Sequence, residues 1–110
     1  MDEEAKLLNE ALERCYRIAM LEDVGGKKTL DRKIIKLQEE AGEFAAAYLM
    51  SVGSKGTKKT SEQITDNLLE EGCDVMLVVL SILMRSGFDM NDVIAKFQKK
   101  MDKWERQVKK

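Results

Sequence analysis

Glu39-Glu40-x-x-Glu43 and Glu71-x-x-Asp74 gather carboxylates into two short runs of the chain. Positions three and four apart share one face of an α-helix, so Glu39 and Glu43 project side by side, as do Glu71 and Asp74. The segment between the runs is long enough for them to meet as antiparallel helices. Four or five carboxylates facing one another repel unless protons or cations come between them. Hard divalent cations such as Mg²⁺ prefer oxygen ligands and keep coordination positions open for water and phosphate. The pattern points to metal-assisted phosphate chemistry. Each run alone is also what the solvated face of a highly charged helix looks like. Asp74, however, leads directly into Val75-Met76-Leu77-Val78-Val79-Leu80, where a merely solvated carboxylate is out of place and a buried one needs a partner.

Four helical segments have to position these residues. The first is expected over Asp2 to Asp23, from apolar positions Leu8, Leu12, Cys15, Ile18, Ala19 and Leu21, with Gly25-Gly26 ending it. The second starts at Thr29 or Asp31 and continues to Val52. Its apolar stripe is Ile34, Leu37, Ala41, Phe44, Tyr48 and Leu49, with Glu39 and Glu43 on the flank. Gly53-Ser54-Lys55-Gly56-Thr57-Lys58-Lys59 reads as a mobile polar loop without hydrophobic anchors. The third helix opens at Thr60 or Ser61, where Thr60 and Gln63 fit a capping box, and ends at Ser86 with Gly87 in place for a left-handed residue. The fourth runs from Asp89 to Val108, burying Val93, Ile94, Phe97, Met101 and Trp104, while Lys96, Lys99, Lys100, Lys103 and Arg106 occupy the remainder.

Between Val75 and Met84 the third helix is apolar almost all round, with Ser81 the only interruption. That run is too short to cross a membrane. A helix apolar on every side must be covered on every side, and three neighbours in so small a domain do not suffice. A homo-oligomer with the third helix at the subunit interface is therefore expected, a central helix in a monomer being the alternative.

The 110 residues suit a single all-α domain, 1–110, arranged as a four-helix bundle. With 35% charged residues, 5% aromatic and no proline, the composition favours helices over a sandwich or barrel. A net charge of -1 carries no footprint of nucleic-acid binding. The absence of histidine excludes the Glu-x-x-His di-iron bundle and the usual serine or cysteine hydrolase triads. Cys15 and Cys73 have no metal or redox spacing and read as reduced core residues of a cytoplasmic protein. The acidic start Met1-Asp2-Glu3-Glu4 is not that of a signal peptide.

Glu39-Glu40-Ala41-Gly42-Glu43, then twenty-seven residues, then Glu71-Gly72-Cys73-Asp74 resembles the EExxE…ExxD signature of the MazG-like nucleoside triphosphate pyrophosphohydrolases, of the all-α NTP pyrophosphatase superfamily. The resemblance extends from about Leu30 to Arg106. It implies that Glu39 or Glu40, Glu43, Glu71 and Asp74 hold Mg²⁺, with Mn²⁺ as the alternative ion. It also implies cleavage of a nucleoside triphosphate between the α and β phosphates, giving monophosphate and pyrophosphate, by a homodimer or homotetramer. The tail Lys99-Lys100-Met101-Asp102-Lys103-Trp104-Glu105-Arg106 is similar to the family's final basic segment, which approaches the nucleotide. Lys99, Lys103 and Arg106 match it and would neutralise the β and γ phosphates. Met101 departs from it, standing where an asparagine is often seen. Trp104 is placed either to stack on a base or to pack in the core.

In such a site Mg²⁺ withdraws charge from phosphorus and activates the attacking water, and phosphoryl transfer needs little beyond that and positioning. Glu40, directed away from Glu39 and Glu43, is the candidate to take the proton from water; ligating the metal and pairing with Lys36 one turn back are its other roles. A related hydrolase with a narrower substrate, such as dUTP or phosphoribosyl-ATP, would share the helices and the metal. The non-enzyme alternative is an oligomeric helical interaction module whose acidic rows are surface only.

Overall fold

The computed structural model describes residues 2–25, 29–54 and 56–109, and among these it holds four α-helices and no strand. They are α1 (Glu3–Gly25), α2 (Leu30–Ser51), α3 (Ser61–Arg85) and α4 (Met90–Val108). The expected break at Gly25-Gly26 falls partly outside the described residues, since α1 runs through Gly25 and Gly26 is not among them. Lys55 of the polar loop lies outside them too. No helix among the described residues is long and apolar enough to cross a membrane.

Local chemistry sets the helix ends. The Thr29 hydroxyl accepts from the Arg32 amide, opening α2. Thr60 and Gln63 form a reciprocal capping box at the start of α3, with Gln63 N to Thr60 Oγ1 at 3.2 Å and Thr60 N to Gln63 Oε1 at 2.9 Å. Asp89 and Asp92 form a second one at α4, where Asp92 also places a negative charge at the positive end of the helix dipole. At the end of α3 the Phe88 amide reaches back to the Leu83 carbonyl and Gly87 to Met84, which requires the positive φ of 103° that Gly87 adopts.

α2 and α3 make the most extensive pairing, α1 lies along α3, and α4 touches α1 only slightly. Gly72 lies against Phe44 where the central pair meets. A Cβ built there would lie 3.3 Å from the Phe44 ring, so a side chain there would require that ring to give way by a few tenths of an ångström, one position from Glu71. Two ion pairs tie the end of α1 to its neighbours. Glu22 meets the buried Lys33 of α2 at 3.0 Å, and Asp23 approaches Arg85 of α3 at 3.5 Å. The Arg85 side chain is almost wholly buried, and its Nε and Nη1 find no hydrogen-bond partner among the described residues.

Several expected core positions are open in the single chain. On α2, Ile34, Ala41, Phe44, Tyr48 and Leu49 are exposed, and the buried residues are Lys33, Glu40 and Ala47. These recur every seven residues along one face, where Lys33 meets Glu22 of α1 and Glu40 lies near Glu71 of α3; much of the apolar stripe lies on the neighbouring flank. On α4, Val93 is buried, but Phe97, Met101 and Trp104 are exposed, since among the described residues α4 makes no extensive pairing with another helix. α3 likewise exposes Met76, Leu77 and Val79, so its neighbours in one chain do not cover it on every side. α1 exposes Leu8, Ile18 and Leu21. Cys73 is exposed rather than core: with Gly72 directed at Phe44, the next position turns outward. Both cysteines are free, and burial pushes the half-buried Cys15 thiol up.

The chain exposes 8672 Å², against about 6,200 Å² for a compact monomer of this length. Its radius of gyration of 16.6 Å likewise exceeds the usual ~13 Å.

Candidate metal centre

The α2–α3 seam brings three carboxylates together. Glu40 and Glu43 descend from α2 one turn apart, and Glu71 faces them from α3. One oxygen from each lies within 4.8 Å of the others. Glu40 is buried, Glu71 half-buried and Glu43 exposed, so the cluster runs from the interior to solvent. Of the other expected ligands, Asp74 stands one turn beyond Glu71, half-buried and close enough to act on its charge, but outside the three-carboxylate set. Glu39 is exposed and also outside it.

The electrostatics are unbalanced. Lys36 Nζ donates to Glu40 Oε1 at 2.7 Å, and this contact holds the ammonium above its usual range. Glu40 Oε2 and Glu71 Oε2 are sealed from solvent and accept no hydrogen bond among the described residues. Desolvation, followed by the adjacent Glu43 carboxyl and then the Asp74 and Glu40 charges, raises the Glu71 carboxyl above the ordinary glutamate range. An ionised carboxylate can only accept, so neither buried oxygen can satisfy the other. A hard divalent cation fits this donor set: it takes oxygen ligands, tolerates a partly open shell and removes the repulsion.

The basic residues of the tail are not gathered at this cluster within the single chain. Lys99, Lys103 and Arg106 are exposed on α4. Lys99 borders an apolar groove with Leu83, Phe88 and Phe97, and Arg106 shares a surface hollow with Asp102, Glu105 and Lys109 of its own helix. Trp104 is 67% exposed. Two positioning features were hard to foresee. Gly72 carried the faint signal of a glycine inside a helix beside a motif glutamate, and Lys33 lies seven residues before Glu40 on the same face.

The described residues form an all-helical chain in which carboxylates from two paired helices converge, one of them buried and one half-buried. Residues 28–109 match the family model described as the MazG nucleotide pyrophosphohydrolase domain. The chain therefore belongs to the MazG nucleotide pyrophosphohydrolase family, with the whole of α1 preceding the matched residues. No curated protein and no solved structure matches the chain.

Proposed function

We propose that this protein is a Mg²⁺-dependent nucleoside triphosphate pyrophosphohydrolase, adding water across the α–β anhydride to release a nucleoside monophosphate and pyrophosphate. The observation that carries it is the meeting of Glu40, Glu43 and Glu71 with two buried oxygens lacking any partner. Glu40, Glu43 and Glu71 would hold the ion, with Asp74 beside them and Glu39 at the rim. When bound, the ion supplies charge withdrawal from phosphorus and activation of water. Glu40, buried and already engaged by Lys36, is better suited to holding a cation than to accepting the proton of water. Lys99, Lys103 and Arg106 would meet the β and γ phosphates, and Trp104 the base.

The chain would act as a homodimer or homotetramer. Roughly 2,500 Å² of surface beyond that of a compact monomer supports this, as do the apolar faces on α2, α3 and α4. A second copy is also what would bring a basic α4 face near a carboxylate cluster that its own α4 does not cover.

The test is pyrophosphate release from each common ribo- and deoxyribonucleoside triphosphate, dUTP and phosphoribosyl-ATP included, with and without Mg²⁺. Glu43→Gln and Glu71→Gln should lower turnover at least a hundredfold while leaving the helical spectrum unchanged. No Mg²⁺-dependent pyrophosphate release from any substrate would refute the assignment and favour a non-catalytic module.

A further inference from the structure

Lys36 stands at the edge of the three-carboxylate cluster, and its ion pair joins a half-exposed side chain to a buried one. Its side chain is 49% exposed, whereas that of Glu40 is 6% exposed. Packing sets where the Glu40 carboxylate points, so a half-exposed lysine is not needed to orient it. What Lys36 supplies is charge: its Nζ is the only cation within ion-pair distance of Glu40, Glu43 or Glu71 among the described residues. It satisfies one Glu40 oxygen and leaves the other without a partner. A divalent cation entering that set repels the ammonium. Release then costs little, because the metal takes over the buried Glu40 charge while the half-exposed lysine regains rotamer freedom and hydration.

We infer that Lys36 is the resident counter-cation of the metal-free site, displaced from Glu40 when a divalent ion binds and freed to contact the phosphates of the incoming nucleotide. The inference rests on the metal-site assignment above and adds to it a residue outside both carboxylate motifs. The two charges exchange partners. Glu40 passes from ammonium to metal, and Lys36 passes from carboxylate to phosphate, with no covalent step.

Metal and nucleotide binding separate the two levels of the proposal. The full-length protein and its Lys36→Met, Lys36→Arg and Glu43→Gln variants are titrated with Mn²⁺ alone, followed by the resonance of the free ion. Lys36→Met keeps the apolar stem and removes the competing charge, so its Mn²⁺ affinity should rise several-fold. Its metal-free melting temperature should fall, with a larger gain than wild type on adding Mn²⁺. Affinity for an α,β-methylene nucleoside triphosphate in saturating Mn²⁺ should drop several-fold in Lys36→Met and recover in Lys36→Arg. Equal or weaker Mn²⁺ binding by Lys36→Met, or unchanged nucleotide affinity, overturns the exchange while the metal site stands. Unchanged Mn²⁺ binding by Glu43→Gln overturns the metal site beneath it.

Discussion

Glu71 holds the sharpest local conflict in the protein, a carboxyl half withdrawn from water and set against two others. Its raised pKa means that, on acidifying, the folded metal-free protein takes up a proton before the unfolded chain does. The native state then binds more protons than the unfolded state, so stability rises as pH falls between the raised folded pKa and the ordinary glutamate value of about 4.3. Below that interval the gain is constant. Chemical denaturation of chelator-treated protein across mildly acid pH should show the rise, and Glu71→Gln should flatten it. The same variant should be more stable than wild type at neutral pH without metal. Adding Mn²⁺ should reverse the order, because only the ionised side chain is a ligand.

At the scale of elements, the end of α3 concentrates two opposite effects. Arg85 cannot shed its charge, yet its guanidinium is buried with Nε and Nη1 unpartnered and only a long contact to Asp23. Arg85→Met keeps the stem and removes the desolvated charge, and it should stabilise the fold by about 1–2 kcal/mol in urea titration. Two residues on, Gly87→Ala forces a side chain into left-handed backbone and should cost about 1 kcal/mol. Gly72→Ala is different in kind. Helix propensity favours it by up to ~1 kcal/mol, while the Phe44 ring must give way by a few tenths of an ångström. Stability should change little, but Glu71 would move off Glu40 and Glu43, and Mn²⁺ affinity should fall several-fold.

For the whole molecule, the open surface sets the expectation. Phe97, Met101 and Trp104 line one face of α4, and a stable assembly would cover such a stripe. Sedimentation should show a dimer or tetramer, and Met76→Glu or Phe97→Glu should shift it toward monomer. Trp104 is the natural reporter. Its emission should be blue in the assembly and move red on dilution below the dissociation constant, as the indole regains the exposure it has in one chain.

The sequence by itself determined the four helices and their ends. Thr60 with Gln63, Asp89 with Asp92, and Gly87 act within one turn of backbone, so no distant contact is needed to interpret them. It also held the family resemblance, because the spacing of Glu39, Glu40, Glu43, Glu71 and Asp74 is a linear property. Only the tertiary structure decided which of those carboxylates meet. Glu39 and Glu40 are neighbours in the chain but about 100° apart around the helix, so the rotation of α2 against α3 buries one and exposes the other. The same pairing sets the Phe44 ring against Gly72, a close approach between residues far apart in sequence. Apolar periodicity predicted a buried stripe on α2 and on α4, but it cannot say what covers a face. In one chain the buried positions of α2 are instead Lys33, Glu40 and Ala47, because burial is a property of neighbours and periodicity a property of the helix alone.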